Sequence, residues 1–438
     1  SPMDLFASLS QQLPETEIAL LADAMEENPT HCLLLNHEKI SDERFLSLYP
    51  HVEPHSLVPH AFYYEKSEYD FGKSFLYDVG AISIQDGSAM LIPFLLSPLQ
   101  DDIVLDLCAA PGGKTIAMSL IMGNHGLILS NDISFPRAHD LSQHIERMGR
   151  GNVIVNSSDS EFVHPYLKET FDKILLDVPC SGSAMFRKNA LAEKDWSQAK
   201  VARCAKTQRK LLDHAASMLK PGGTIMYSTC SFSYEENEGN LLSFLDAHPE
   251  FEAAPLPLDH PGFYHSSALP EAIYLFPHRF RGEGQFACLL RKKGAHEPSS
   301  LAPKSALIAR KYRDFLSQYG LERRSNEEKR GKFYSLTLAF DTGHLNTLRY
   351  GVKLFEMRET FLPDHALARY LGNEFSIPLE EKEARLFLHG DVFPLDKPDG
   401  FFVVSYAGFN LGWVKVTKGQ AKNHYPKGLR HTYPGALL

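Results

Sequence analysis

The chain has 438 residues, 43% of them hydrophobic and 23% charged, which excludes a disordered or fibrous protein and allows roughly three packed domains. No apolar run approaches membrane-spanning length and no signal-peptide pattern is present, so we expect no membrane partner and a cytoplasmic setting. A formal net charge of −9 argues at first against a polyanionic partner.

The distribution of that charge reverses the impression. Residues 1–100 carry 15 Asp/Glu and 4 Lys/Arg, whereas 279–332 carry 14 Lys/Arg and 6 Asp/Glu. From Asn410 to Leu438 there are Lys415, Lys418, Lys422, Lys427 and Arg430 and no acid. Such asymmetry suits a polyanion-binding face, or else plain solvated charge.

In chain order, Ser1-Pro2 ahead of Met3 reads as a remnant of tag removal. Residues 1–93 are mixed, with a helical start over Glu15–Glu27 and short apolar pieces such as Cys32-Leu33-Leu34-Leu35. From 103 to 293 apolar runs at 103–108, 127–131, 152–156, 173–177, 224–229 and 286–290 alternate with amphipathic stretches at 134–149, 191–219 and 234–247. This alternation predicts an α/β fold, a parallel sheet with helices on both faces. The Gly/Pro/Ser/Ala-rich 294–306 is the linker candidate. A basic mixed segment covers 307–363, and 368–438 holds short strand-like runs between Gly/Pro turns, a small β-rich module.

The six cysteines, Cys32, Cys108, Cys180, Cys204, Cys230 and Cys288, contain no CxxC pair. Neither a disulfide framework nor a metal site is suggested, and free thiols in a reducing compartment are expected.

The first strand runs into Asp106-Leu107-Cys108-Ala109-Ala110-Pro111-Gly112-Gly113-Lys114-Thr115. Small residues here let backbone approach a ligand at the carboxyl end of the strand, where open α/β sheets bind ligands. Gly113-Lys114-Thr115 imitates a Walker A ending, but that loop's first glycine falls on Cys108, so an NTPase loses its motif. Asp132 ends the second strand, where a carboxylate can accept from ribose hydroxyls. Asp159 follows the third strand, and Asp177 ends the fourth. Acids at successive strand ends suit a nucleoside cofactor better than a triphosphate.

Asp177-Val178-Pro179-Cys180-Ser181-Gly182 and Tyr227-Ser228-Thr229-Cys230-Ser231 follow neighbouring strands, so two thiols meet one edge of the sheet. C5 of cytosine is a poor nucleophile. A thiolate adding at C6 makes C5 nucleophilic toward a methyl donor, an acid near N3/N4 assists, and a base then takes the C5 proton so that the thiolate leaves. Asp177 and the two thiols supply these roles. Ser233-Tyr234-Glu235-Glu236 reads as a capping box, which would place Cys230 ahead of a helix N-terminus. Cys32, Cys204 and Cys288 are assigned to packing, and Cys108 to the lining of the loop.

Taken together, Asp106-x-Cys108-Ala-Ala-Pro-Gly-Gly-Lys-Thr115, Asp177-x-Pro179-Cys180-Ser-Gly182, Lys220-Pro-Gly-Gly223, Ser228-Thr-Cys230-Ser231 and Glu235-Glu-Asn237-Glu238 resemble the Sun/RsmF family of RNA (cytosine-5) methyltransferases. The resemblance covers about 100–293. It implies a Rossmann-like sheet with an antiparallel last strand, and S-adenosyl-L-methionine held by Cys108, Ala109, Ala110, Pro111, Gly112, Gly113, Lys114, Asp132, Asp159 and Asp177; we add Arg137 to that set. It implies attack by Cys230 and assistance to release by Cys180.

The domains expected are a 1–93 RNA-contacting cap, a 94–293 catalytic domain, the 294–306 linker, a 307–363 basic domain and a 368–438 PUA-like module. The PUA-type resemblance of Gly412–Arg430 points to small-subunit ribosomal RNA or the 30S subunit as partner; a monomer is the default expectation. A tRNA methyltransferase and a non-catalytic ribosome-assembly factor are the alternatives. Phe280-Arg281-Gly-Glu283-Gly-Gln285 departs from the family's Asp-Gly-Phe-Phe pattern. For RNA contact, Arg187 and Lys188 beside Phe186 are well placed to guide a strand, extended by Arg279, Arg281, Lys415, Lys418, Lys422 and Lys427 with Trp413 and Tyr425.

Overall fold

The computed structural model describes residues 2–304 and 309–438. Ser1, the last two residues of the linker candidate and the first two of the basic segment lie outside the described residues.

The central element is a ten-stranded sheet. Its strands are β1 (Ile103–Asp106), β2 (Leu127–Asn131), β3 (Val153–Asn156), β4 (Phe171–Asp177), β5 (Leu219–Thr229), β6 (Phe251–Ala254), β7 (Tyr264–His265), β8 (Ile273–Leu275), β9 (Gln285–Lys292) and β10 (Thr347–Tyr350). They lie in the order β7-β8-β9-β5-β4-β1-β2-β3-β10, with β6 also paired to β9. From β3 through β2, β1 and β4 to β5 the strands are parallel, and β9 is antiparallel to β5. The strand order reverses between β1 and β4, and a crevice at their carboxyl ends follows from that topology. The fold is the expected Rossmann-like one.

Adjacent residues of the inner strands are buried on opposite faces. Leu105 and Ile174 pack with Trp196 and Leu212, while Val104 and Leu175 pack with Ile116 and Leu141. A sheet covered on both sides has no polar face, which is why these strands read as continuous apolar runs.

The covering helices that shape the site are α1 (Gly113–Ile121), α2 (Phe135–Arg147), α3 (Gln198–Met218) and α4 (Glu238–Ala247). The stretch 191–219, expected as one helix, is two. Ala190–Asp195 ends before a buried Trp196, and Ser197 caps α3 by accepting from the Lys200 N–H.

Ahead of the sheet, Cys32–Leu35, Glu53–Pro54, Ala61–Tyr63 and Ile82–Ile84 form a small antiparallel sheet. After it, Ser325–Lys329, Lys332–Leu336, Val352–Met357 and Phe361–Pro363 form a meander, and the last module is a five-stranded sheet with the helix Glu381–His389. Two features were not expected. β10, from the basic segment, pairs antiparallel with β3 and so extends the catalytic sheet. The first and last modules also share one core: Phe45, Phe62 and Phe75 pack with Phe387, Phe409 and Tyr433. Among the described residues no helix is long and apolar enough to cross a membrane.

Candidate active site

At the carboxyl end of β1, Thr115 on α1 donates its hydroxyl to Asp106 Oδ2 at 2.6 Å and lies 2.7 Å from Ser130 Oγ. This draws α1 onto the sheet and forces the intervening loop into a tight turn. Gly112 takes φ +114°, a conformation that favours glycine, and a Cβ there would also press on Leu141 Cδ1 at 2.5 Å. The Ala109 N–H donates to the Asn131 carbonyl at 2.7 Å, and the Ala110 N–H to Asp132 Oδ2 at 3.3 Å. Arg137 braces the turn by donating to the Ala110 carbonyl at 2.9 Å, with Asp132 3.9 Å away. Asp159 caps the short helix Ser160–Val163.

Burial, partly offset by the Thr115 hydroxyl, pushes the Asp106 carboxyl up to about 7, and its Oδ1 has no hydrogen-bond partner among the described residues. Burial also raises the Cys108 thiol well above its usual range.

Lys114 Nζ donates to Asp177 Oδ2 at 2.8 Å, and Ser228 Oγ donates to the other oxygen at 2.8 Å. Burial opposes the Lys114 charge, but Asp177 outweighs it and holds the ammonium above its usual range. A phosphate-loop lysine must be free to meet phosphate, and this one is already paired.

Cys180 and Cys230 follow β4 and β5 and are free thiols with Sγ atoms 2.8 Å apart. The contact with Cys230, and then burial, push the Cys180 thiol well up.

The capping box expected at Ser233–Glu236 does not form. The fully buried Glu236 carboxylate instead accepts from the Ser181 N–H at 2.8 Å, Ser181 Oγ at 2.6 Å, Gln208 Nε2 at 3.1 Å and Ser231 Oγ. It therefore bridges the two cysteine loops. α4 begins only at Glu238, and Ser233 Oγ is buried without a partner among the described residues. Asn237 adds to the clamp, accepting from Thr229 Oγ1 at 2.7 Å and donating to the Ser231 carbonyl at 2.8 Å. Gln208 was missed in the sequence, although a signal exists: it interrupts the buried stripe Val201, Ala205, Leu212, Ala215 of α3.

Two cavities meet here. One of about 290 Å³ is lined by Cys108, Asp132, Asp159, Asp177, Cys180 and Cys230. The other, of about 500 Å³, lies toward the N-terminal module and is lined by Gln85, Asp106, Lys114, Asp177, Lys188 and Cys230 among others. Asp177 and Cys230 belong to both walls. The smaller cavity fits S-adenosyl-L-methionine by its donor set: Asp132, Asp159 and Asp177 offer carboxylates for the ribose and the cationic end, and small residues at Cys108 and Ala110 let the backbone come close. Among the described residues no cluster of His, Cys, Asp and Glu could hold a metal ion.

The residues expected on the RNA do not all reach solvent. Arg187 turns inward, making a bidentate ion pair with Glu283 at 2.8 and 2.6 Å and donating to the Ala24 and Gly282 carbonyls. The departure from the family pattern at Glu283 thus supplies the partner that buries Arg187, and the Thr30 hydroxyl joins it at 2.8 Å. Phe186 packs against Trp196, Trp413 donates its indole N–H to the Asp364 carbonyl, and Tyr425 is buried, so none is an open platform. Arg279 is bound to Glu17. Arg281, half exposed, pairs with Glu53 and lies over the Tyr63 ring. Lys188, Lys415, Lys418, Lys422 and Lys427 are exposed; Lys188 borders the larger cavity, and Lys415 and Lys422 face each other across paired strands.

Comparison with known proteins gives a family model described as 16S rRNA methyltransferase RsmB/F over residues 93–291, and one described as the methyltransferase RsmF PUA domain over 374–431. The Ribosomal RNA small subunit methyltransferase F of Shewanella loihica is 32% identical over 80% of this chain and 78% of its own length. That of an Enterobacter strain is 31% identical over 98% and 95%. Among solved structures, a methyltransferase homologue from Pyrococcus horikoshii matches 66% of this chain and 93% of its own at 30% identity and TM-score 0.55. NSun6 from the same organism, determined with SFG, matches 66% and 98% at 20% identity and TM-score 0.59, a likeness of fold.

Proposed function

The chain belongs to the RsmB/F family of 16S rRNA methyltransferases, and from that premise we propose that it transfers a methyl group from S-adenosyl-L-methionine to C5 of a cytosine in small-subunit ribosomal RNA. The observation that carries the reading is the position of Cys230, whose side chain lines both cavities at their junction. A sulfur there can reach a base entering from one side while a cofactor methyl lies on the other.

S-adenosyl-L-methionine, when bound, supplies an electrophilic methyl group. The chain's residues do the rest. Cys230 adds as thiolate to C6, forming the S–C6 bond and shifting the C5–C6 electrons onto C5. Asp177, oriented by Lys114 and Ser228, faces the N3/N4 edge, where a proton taken up by N3 from solvent neutralises the electrons that addition places on the ring and is held by the carboxylate. Once Cys230 is bonded to carbon, Cys180 releases its own proton to solvent and, as thiolate, accepts the C5 proton after methylation; a thiol whose proton is held tightly makes a thiolate of matching basicity. Loss of that proton restores the double bond and expels Cys230. The lysines of the C-terminal module and Lys188 serve the RNA backbone.

The reading is tested by incubating the protein with labelled methyl donor and 30S subunits, 16S rRNA or tRNA from cells lacking it. Label in 5-methylcytosine of 16S rRNA is expected. Label in tRNA alone would move the substrate, and binding without transfer to any RNA would leave a non-catalytic assembly factor.

A further inference from the structure

A third cleft, of about 700 Å³, opens where α2, the N-terminal module and the C-terminal module meet. It continues the larger cavity of the site, for Gly72, Tyr77, Pro111, His144 and Arg147 line both. Arg147 stands at the passage. Its guanidinium lies 3.8 Å from the centre of the Tyr77 ring, and Nη1 donates to the Tyr77 and Ile82 carbonyls at 2.6 and 3.0 Å. Among the described residues its buried Nε has no partner, nor has the buried Nδ1 of His365 on another wall. Burial lowers Arg147 only to about 10, so it stays cationic at neutral pH. Lys73 from the N-terminal module and Arg430 from the C-terminal one add cations to the lining.

Lys73, Arg147, Arg369 and Arg430 line this cleft against Asp78, Asp140 and Glu146, and Glu146 is paired with Arg349 at 3.2 Å, so the lining is cationic on balance. Asp140 lines the wall as an acceptor suited to the exocyclic amine of a base.

We infer that this cleft seats the nucleotide next to the target cytosine in a single RNA strand, with Arg147 on the connecting phosphate and Lys73 and Arg430 on the phosphate beyond it. The inference rests on the methyltransferase reading and adds the path of the strand to it. A base splayed into a pocket drags its backbone along, and the neighbouring residue needs a cationic exit with aromatic surface beside it. The passage at Arg147 and Tyr77 offers both. The core shared by the first and last modules keeps the walls bearing Lys73 and Arg430 at a set separation.

The test uses the full chain, with 16S rRNA and 30S subunits from cells lacking it as substrates. In the Lys73→Ala/Arg430→Ala double variant we expect KM for RNA to rise about tenfold, and the log–log salt dependence of binding to flatten by roughly two. Turnover at saturation and S-adenosylhomocysteine affinity should match wild type, and Lys73→Arg/Arg430→Lys should restore KM. Wild-type KM and salt slope in the alanine variant would overturn the subsite while leaving the methyltransferase reading in place. No transfer by wild type or variant to either substrate would overturn that reading, and the subsite with it.

Discussion

Cys180 Sγ faces Cys230 Sγ at 2.8 Å because β4 and β5 are paired in register, Asp177 opposite Ser228, and each releases its cysteine within three residues of that pair. The two sulfurs therefore address one small volume. One can be bonded to a ring carbon while the other reaches the hydrogen on the next carbon, which is the division of labour that the proposed chemistry requires.

That division predicts opposite phenotypes. Cys230→Ala should abolish methyl transfer and form no adduct. Cys180→Ala should attack and then stall, accumulating a covalent protein–RNA species on a denaturing gel. If Cys230→Ala gave the adduct instead, the two roles would be reversed.

Glu236 holds both cysteine loops, so Glu236→Gln should disturb chemistry and stability together. The amide loses one acceptor oxygen in a fully buried site, which costs about 1–3 kcal/mol and should lower the urea midpoint. Misplaced thiols should slow single-turnover methylation on the order of 100-fold, with S-adenosylhomocysteine affinity near wild type. Unchanged single-turnover rates would show that the clamp has no part in positioning.

Asp106 gives the pH prediction. Burial lifts its carboxyl to about 7, above the ordinary aspartate value of 3.8, so between those values the folded protein holds a proton that the unfolded chain has released. The contribution of this carboxyl to stability then falls as pH rises through that window. Asp106→Asn, which carries no charge to desolvate, should flatten the fall between about pH 4 and 7 in thermal melts of the ligand-free protein. An equal slope in both proteins would count against the buried carboxyl as its source.

Lys415 and Lys422 stand directly opposite on paired strands, both exposed. Like charges in that register cost a few tenths to about 1 kcal/mol, a cost that an RNA phosphate would relieve. Lys415→Thr should raise the melting temperature of the free protein while weakening RNA binding and reducing its salt slope by about one. A variant that is more stable and binds RNA as well as before would remove these lysines from the interface.

The inner strands, the Gly112–Gly113 loop and the two cysteine loops were legible because their signals are local: apolar runs, small residues, and motifs at strand ends. What escaped depends on partners far along the chain. Ser-x-x-Glu at 233–236 fits a capping box, and only the approach of Ser181, 55 residues away, shows where the Glu236 carboxylate goes. Arg187 and Trp413 show the same gap. Composition reports a cation or an aromatic ring, but the direction of the side chain is decided by Glu283 and by the Asp364 carbonyl. β10 was invisible because Thr347-Leu-Arg-Tyr350 has neither length nor alternation, and pairing with β3 makes it a strand.

The pairing of β10 with β3 also bears on how the molecule is made. Until the ribosome has released residues 347–350, β3 presents bare N–H and C=O groups along one side of the nascent sheet, a template for pairing with another chain. A chain ending after the catalytic motifs would keep that edge bare, and the late segment closes it.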